Sequence, residues 1–185
     1  LLGEEDDRAV YGLTAVTEDA LFVGGYDGIL YALSPEGELL WQERVGGAIV
    51  GGPTVIDDVV LVGDSSGALY AFDIEEQLSR WIFFAGDKVW SSPAVAEDVV
   101  YVGSLDHNVY AVNLSNGSEL WRFSTGGAVT ASPLLVKGRV YVGAFDGVFY
   151  ALDAATGAEV WRFDGAGSWY WSHAVADQNT LYVPS

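Results

Sequence analysis

Five side chains stand out as groups that could contact another molecule: Trp90, Trp169, Tyr170, Trp171 and His173. Indole and phenol rings supply large apolar area with one polar handle each, the chemistry that stacks on a sugar, a quinone or a peptide side chain. An imidazole adds a hydrogen-bonding or metal-binding nitrogen. Around these residues the means for covalent or redox chemistry are sparse. The 185 residues include no Cys, so there is no thiolate nucleophile, thiolate metal site or disulfide. Lys88, one of two lysines, stands beside Asp87 and Trp90, where an ion pair with Asp87 or its surroundings is expected. Asp27, Asp106 and Asp146 recur at corners of one type, and turn formation is reason enough for them. Carboxylates are plentiful, but none cluster at a spacing specific to a metal, and Arg122 and Arg162 recur as strand-surface residues rather than as substrate activators. The sequence thus predicts no catalytic residue, no metal and no cofactor.

These groups are carried by a chain that repeats itself. Trp41, Trp81, Trp121 and Trp161 are 40 residues apart, and Pro53, Pro93 and Pro133 keep the same step. Gly24, Gly63, Gly103 and Gly143 each end a Val-Gly pair, and Tyr31, Tyr70, Tyr110 and Tyr150 each open a Tyr-Ala pair, at steps of 39, 40 and 40. A period near 40 built of short strands marks a β-propeller or a related array. In the third repeat the strands are expected at 94–96 (A), 99–103 (B), 108–113 (C) and 119–124 (D), separated by turn signals. Asp27-Gly28, Ser66-Gly67 and Asp146-Gly147 supply the B–C corner with residues tolerant of positive φ, and Asn116-Gly117 and Thr156-Gly157 do so at the C–D corner. His107 takes the glycine's place in the third repeat and is expected to be exposed. No run shows a 3.6-residue period, so the fold class is all-β. The expected division is an acidic tail or linker over 1–13, full repeats over about 14–52, 53–92, 93–132 and 133–172, and a half-repeat over 173–185. That half-repeat has only strands A and B, so missing blades or a second subunit are expected to complete it.

Strand direction alternates, so the B–C corners and D–A crossings share one face of such a propeller. Departures from the repeat concentrate there. By simple 40-residue spacing, Val50, Trp90, Thr130 and Tyr170 form one column and Gly51, Ser91, Ala131 and Trp171 the next, with Trp169 just before them and His173 in place of the earlier prolines. Packing beneath the next blade is the competing reading for the aromatic side chains, and a satisfied polar residue with no ligand role is the competing reading for His173.

Charge narrows the partners. There are 26 acidic residues against 8 basic, a formal net charge of −18. Such a field repels phosphate, which argues against nucleic acid and anionic membranes. Excess carboxylate with scarce Lys also predicts adaptation to high salt, an ordinary acidic protein being the alternative. No stretch has the roughly 18–20 apolar residues of a membrane-spanning helix, and the N-terminal LLGEEDDR does not have the form of a signal peptide.

Ala111, Asn113, Gly117 and Trp121, and again Ala151, Asp153, Gly157 and Trp161, follow a motif that resembles the repeat of the pyrroloquinoline-quinone-type propeller family. The resemblance covers about 170 residues and implies that each Trp docks against the neighbouring blade. Gln77 stands where the second repeat should have Gly, and Ser34 takes the acidic position of the first, which predicts looser docking there. Members of this family are of two kinds. Some are quinone-dependent dehydrogenases with a calcium-held cofactor in the central channel, often faced by adjacent cysteines that a Cys-free chain cannot provide. Others keep only the scaffold, such as the lipoprotein of the outer-membrane barrel assembly machinery. The resemblance with the scaffold branch implies a non-catalytic protein that binds a protein, peptide or glycan through its loop face, outside the cytoplasm or at the cell surface. A quinone- and calcium-dependent dehydrogenase fragment and a small-ligand or sugar sensor module are the alternatives.

Overall fold

The computed structural model describes residues 9–165, 167–177 and 180–184. Residues 1–8 of the expected tail, Ser185 and three other positions of the chain lie outside them. Four sheets follow one another, each of four antiparallel strands laid side by side in chain order. The first holds β1 (Ala15–Val16), β2 (Leu21–Gly24), β3 (Ile29–Leu33) and β4 (Leu39–Arg44). The second holds β5 (Thr54–Ile56), β6 (Val59–Gly63), β7 (Ala68–Asp73) and β8 (Ser79–Phe84). The third holds β9 (Ala94–Ala96), β10 (Val99–Gly103), β11 (Asn108–Asn113) and β12 (Glu119–Ser124), and the fourth β13 (Leu134–Val136), β14 (Arg139–Gly143), β15 (Phe149–Asp153) and β16 (Glu159–Phe163). A two-stranded sheet of β17 (Val175–Asp177) and β18 (Thr180–Tyr182) comes last. Each sheet is a blade, the sheets do not close into a ring, and the architecture is part of a β-propeller.

The core lies between blades rather than within one. Alternation along the middle strands points successive side chains at the two neighbouring sheets. Phe22 and Leu30 of the first blade thus pack with Val60, Val62 and Phe72 of the second. Leu61, Leu69 and Phe83 of the second pack with Val100, Val102 and Tyr110 of the third, and the third meets the fourth in the same way.

Two glycine columns have a steric cause. A Cβ on Gly24, Gly63, Gly103 or Gly143 would come within 2.3 to 2.4 Å of Ile49, Val89, Val129 or Tyr170, the side chain that each crossing lays over the end of strand B. In the C–D turns, Gly117 and Gly157 adopt φ of 73° and 71°, and the ring of Trp81 or Trp121 from the preceding blade lies directly on them. The indole nitrogens of these tryptophans donate to the carbonyls of Leu114 (2.7 Å) and Ala154 (3.0 Å). This is the expected docking of Trp on the next blade. Where Gln77, at φ 58°, replaces the glycine, Trp41 makes no indole hydrogen bond among the described residues.

Candidate interaction face

The D–A crossings and B–C corners do share one face. Backbone bonds tie the corner of one blade to the crossing of the blade before it: Ser65 N–H to Ala48 O, Leu105 N–H to Lys88 O and Phe145 N–H to Ala128 O, each 2.9 Å. The recurring aspartates complete this seam. Asp106 accepts from its own Tyr110 hydroxyl and from Gly86 N–H of the preceding blade, both at 2.6 Å. Asp146 accepts likewise from Tyr150 (2.5 Å) and Gly126 N–H (2.7 Å). In the second blade the acid sits two residues earlier, at the fully buried Asp64, and Gly46 N–H donates instead to the Tyr70 hydroxyl at 3.0 Å. These carboxylates are blade-to-blade latches as well as turn formers. Burial pushes the Asp106 carboxyl up, but hydrogen bonds from Tyr110, Gly86 and Asn108 outweigh it and leave its pKa below the ordinary value. Burial and the aspartate partner push Tyr110 and Tyr150 up to about 12.

The crossing that carries the aromatic run differs from simple 40-residue spacing. Tyr170 is 1% exposed and lies over Gly143, the place of Ile49, Val89 and Val129. Trp41 to Ile49, Trp81 to Val89 and Trp121 to Val129 are eight residues, whereas Trp161 to Tyr170 is nine. One inserted residue after Trp161 therefore shifts every later column. Tyr170 leaves the set of contact candidates and becomes core, because the close approach at Gly143 needs an apolar cover. Trp171 joins the column of Trp90 rather than that of Ser91. Ala174, buried like Pro53, Pro93 and Pro133, takes the prolines' place, and His173 moves to the position of Ser92 and Ser132, where it is exposed. At that position Ser92 accepts Gly52 N–H (2.8 Å) and Ser132 accepts Ser92 N–H (2.9 Å), contacts that run from blade to blade.

Trp169 and Trp171 remain outward, 56% and 58% exposed. Their ring centroids are 6.2 Å apart, and both pack on Phe145, at 5.7 Å and 4.3 Å. Phe145 was not visible as a candidate by composition alone. Its corner column, Tyr26, Ser65, Leu105 and Phe145, carries aromatics at both ends of the chain, which was the available signal. At the other end Tyr26 meets Tyr11 edge-on at 5.4 Å, both exposed. Trp90 is not part of the Phe145 cluster. It is half-buried, with the Lys88 ammonium 5.3 Å over its ring, so Lys88 rests on the indole rather than on Asp87, which accepts Lys88's own backbone N–H. The Trp90 Nε1 and the Oγ1 of Thr130, next in the column, are buried without a hydrogen-bond partner among the described residues. His107 is exposed at φ 71°.

Two recesses adjoin the last crossing. A polar cleft of about 190 Å³ is lined by Asp146, Gly147, Asp164, Gly167, Ser168 and Trp169. An apolar groove of about 620 Å³ opens between β16 and β18, with Trp161, Phe163, Tyr170, Leu181 and Val183 on its walls. Trp161 lies there without the glycine turn that covers Trp81 and Trp121. The described residues contain no group of three or more His, Cys, Asp or Glu side chains that could hold a metal ion. No helix among the described residues is long and apolar enough to cross a membrane.

The family model described as outer membrane protein assembly factor BamB matches residues 5–86 and 80–185. The chain belongs to this family of pyrroloquinoline-quinone-type propeller repeats. No curated protein matches it in sequence. Among solved structures, BamB from Moraxella catarrhalis superposes with a TM-score of 0.82 at 24% identity, over 92% of this chain and 53% of BamB. The quinohemoprotein alcohol dehydrogenase ADHIIG from Pseudomonas putida HK5 gives 0.79 at 20% identity, over 90% of this chain and 36% of the enzyme. A chain of the mitotic checkpoint complex gives 0.74 at 21% identity, over 83% and 50%. At these identities the likeness is one of fold. The chain spans about half the length of the BamB structure it matches.

Proposed function

We propose that this chain is a non-catalytic propeller scaffold that binds a protein through the face of its crossings and B–C corners, with Trp169 and Trp171 as the principal contacts and Trp90 and His173 further contacts on the same face. The observation that carries this reading is the exposed cluster of Phe145, Trp169 and Trp171. Rings braced against one another lose little freedom when a partner covers them, which is why aromatic anchors dominate protein interfaces. The family match supports the scaffold branch, and BamB is itself described as an outer membrane protein assembly factor. The same reading places the protein outside the cytoplasm or at the cell surface, and assigns the groove beside Trp161 to further strands, from the natural chain or from a second subunit. Glycan binding is the second reading, favoured by the cleft where the Trp169 ring meets the carboxylates of Asp146 and Asp164.

A photo-crosslinking residue placed in turn at Trp169, at Trp171 and, as a control, at the outer-rim Leu120 tests the proposal in the producing cells. Adducts to one defined protein from the first two positions, and not from Leu120, are expected. Absence of such adducts, together with a saturable shift of tryptophan fluorescence on adding oligosaccharides, would replace protein binding by the second reading.

A further inference from the structure

The outer mouth of the seam between the first and second blades is built from chemistry opposite to that of the seams that follow. In the second and third seams, Phe83 and Phe123 of one blade reach Tyr110 and Tyr150 of the next, with ring centroids 5.2 and 5.4 Å apart. Arg122 and Arg162 then lie over the same tyrosines, at 5.3 and 5.9 Å, each held by Glu119 or Glu159 three residues earlier. An apolar plug is thus covered by a cation on the edge strand, and charged side chains on an edge deter another chain from pairing with it.

In the first seam the plug position is Glu43 and the covering position is Ile82, opposite Tyr70 on β7. Two residues on, Phe84 replaces the Arg44, Ser124 and Asp164 of the other blades, and Leu78 replaces Glu38, Ser118 and Ala158. Leu78, Ile82 and Phe84 are 62%, 43% and 69% exposed. Arg80, the one cation of β8, is turned away to Asp58 and Asp73. The outermost strand of the second blade therefore combines exposed apolar side chains with no charged guard over its tyrosine, unlike the outermost strands of the third and fourth blades.

We infer that β8 is an interaction edge, on which an extended segment of a partner protein adds as a fifth strand, with apolar side chains against Ile82 and Phe84 and a Lys or Arg meeting Glu43. The main-chain groups of the edge supply pairing, and alternate side chains supply selectivity. Charge decides the kind of occupant. Glu43 lies at the mouth, and Glu75 and Glu76 are exposed at the β7–β8 turn, so a basic segment is attracted. A second copy of this chain, with its net charge of −18, is repelled.

A displayed library of random twelve-residue peptides, selected on the 185-residue chain and counter-selected on the I82R/F84S variant, which carries the third blade's residues, tests this. Enriched peptides should alternate apolar residues with at least one Lys or Arg and slow amide exchange along β8. They should bind I82R/F84S at least tenfold more weakly and bind W169A/W171A unchanged. Glu43→Gln, a change too conservative to unfold the blade, should erase the preference for a basic residue. No enrichment, or equal binding to I82R/F84S, would overturn the inference. So would a wild-type dimer in light scattering that I82R/F84S dissolves, since the occupant would then be a second copy. Because the W169A/W171A variant is carried in parallel, failure at β8 and failure of the aromatic face are read separately.

Discussion

Gly157 and Gly138 provide a matched pair for measuring how much the docking of Trp on the next blade stabilises the propeller. Both hold nearly the same left-handed backbone, φ 71° and 72°. A Cβ at Gly138 meets nothing within 4 Å, whereas a Cβ at Gly157 would stand 2.6 Å from the Trp121 ring. Gly138→Ala therefore incurs only the left-handed conformation, about 1–2 kcal/mol, partly offset by about 0.4–1 kcal/mol from the stiffer unfolded chain. Gly157→Ala adds a displacement of the ring by about 1 Å to reach an ordinary carbon–carbon contact of about 3.5 Å. The 3.0 Å bond from Trp121 Nε1 to Ala154 O would not survive that movement, a further loss of about 0.5–1.5 kcal/mol. Some packing between the third and fourth blades would go with it. The expected total is about 3 kcal/mol for Gly157→Ala against about 1 kcal/mol for Gly138→Ala. For a chain of this size these correspond to falls in Tm of roughly 6–12 °C and 2–4 °C. Urea and thermal unfolding, followed by near-ultraviolet circular dichroism to report the indole environment, would measure both. Equal losses in the two variants would refute the claim that Trp121 confines the glycine.

The latch makes a pH prediction with two limbs. The Asp106 pKa is depressed, so its contribution is present above the unfolded carboxylate value of about 3.9 and is lost as pH falls through the folded value. Tyr110 and Tyr150 are raised to about 12, so their contribution is present below the unfolded value of about 10 and is lost as pH rises toward 12. The Y110F/Y150F variant should be less stable at pH 8 yet show a flatter alkaline limb in Tm, and an alkaline limb as steep as in the wild type would contradict the assignment. Net charge predicts that Tm rises strongly from dilute buffer to molar potassium chloride, as self-repulsion is screened; a Tm indifferent to salt would remove the halophilic reading.

The repeat was legible because each of its residues answers to a local or pairwise demand that recurs every 40 positions. Glycine is required where a crossing covers strand B, Trp where an indole must reach the next blade, and turn formers where φ is positive. Strands β9 to β12 accordingly lie where alternation and turn residues predicted them, and the face shared by crossings and corners followed from strand direction. The register of the last crossing was not legible, because Trp169, Tyr170 and Trp171 are interchangeable by type. Only the three-dimensional fit over Gly143 selects Tyr170 for the core and leaves the two tryptophans outside. The partner of Lys88 was misjudged for a similar reason, since sequence adjacency to Asp87 says nothing about where a flexible ammonium comes to rest. Nor does composition show that the plug position beside Tyr70 and Ile82 falls to Glu43, since the three belong to three strands on two blades. The sequence by itself determined the blade, its period and its internal register, because those depend on residues within some 40 positions of one another. Tertiary structure alone decided which departures from the period are exposed together, because that depends on the packing between blades.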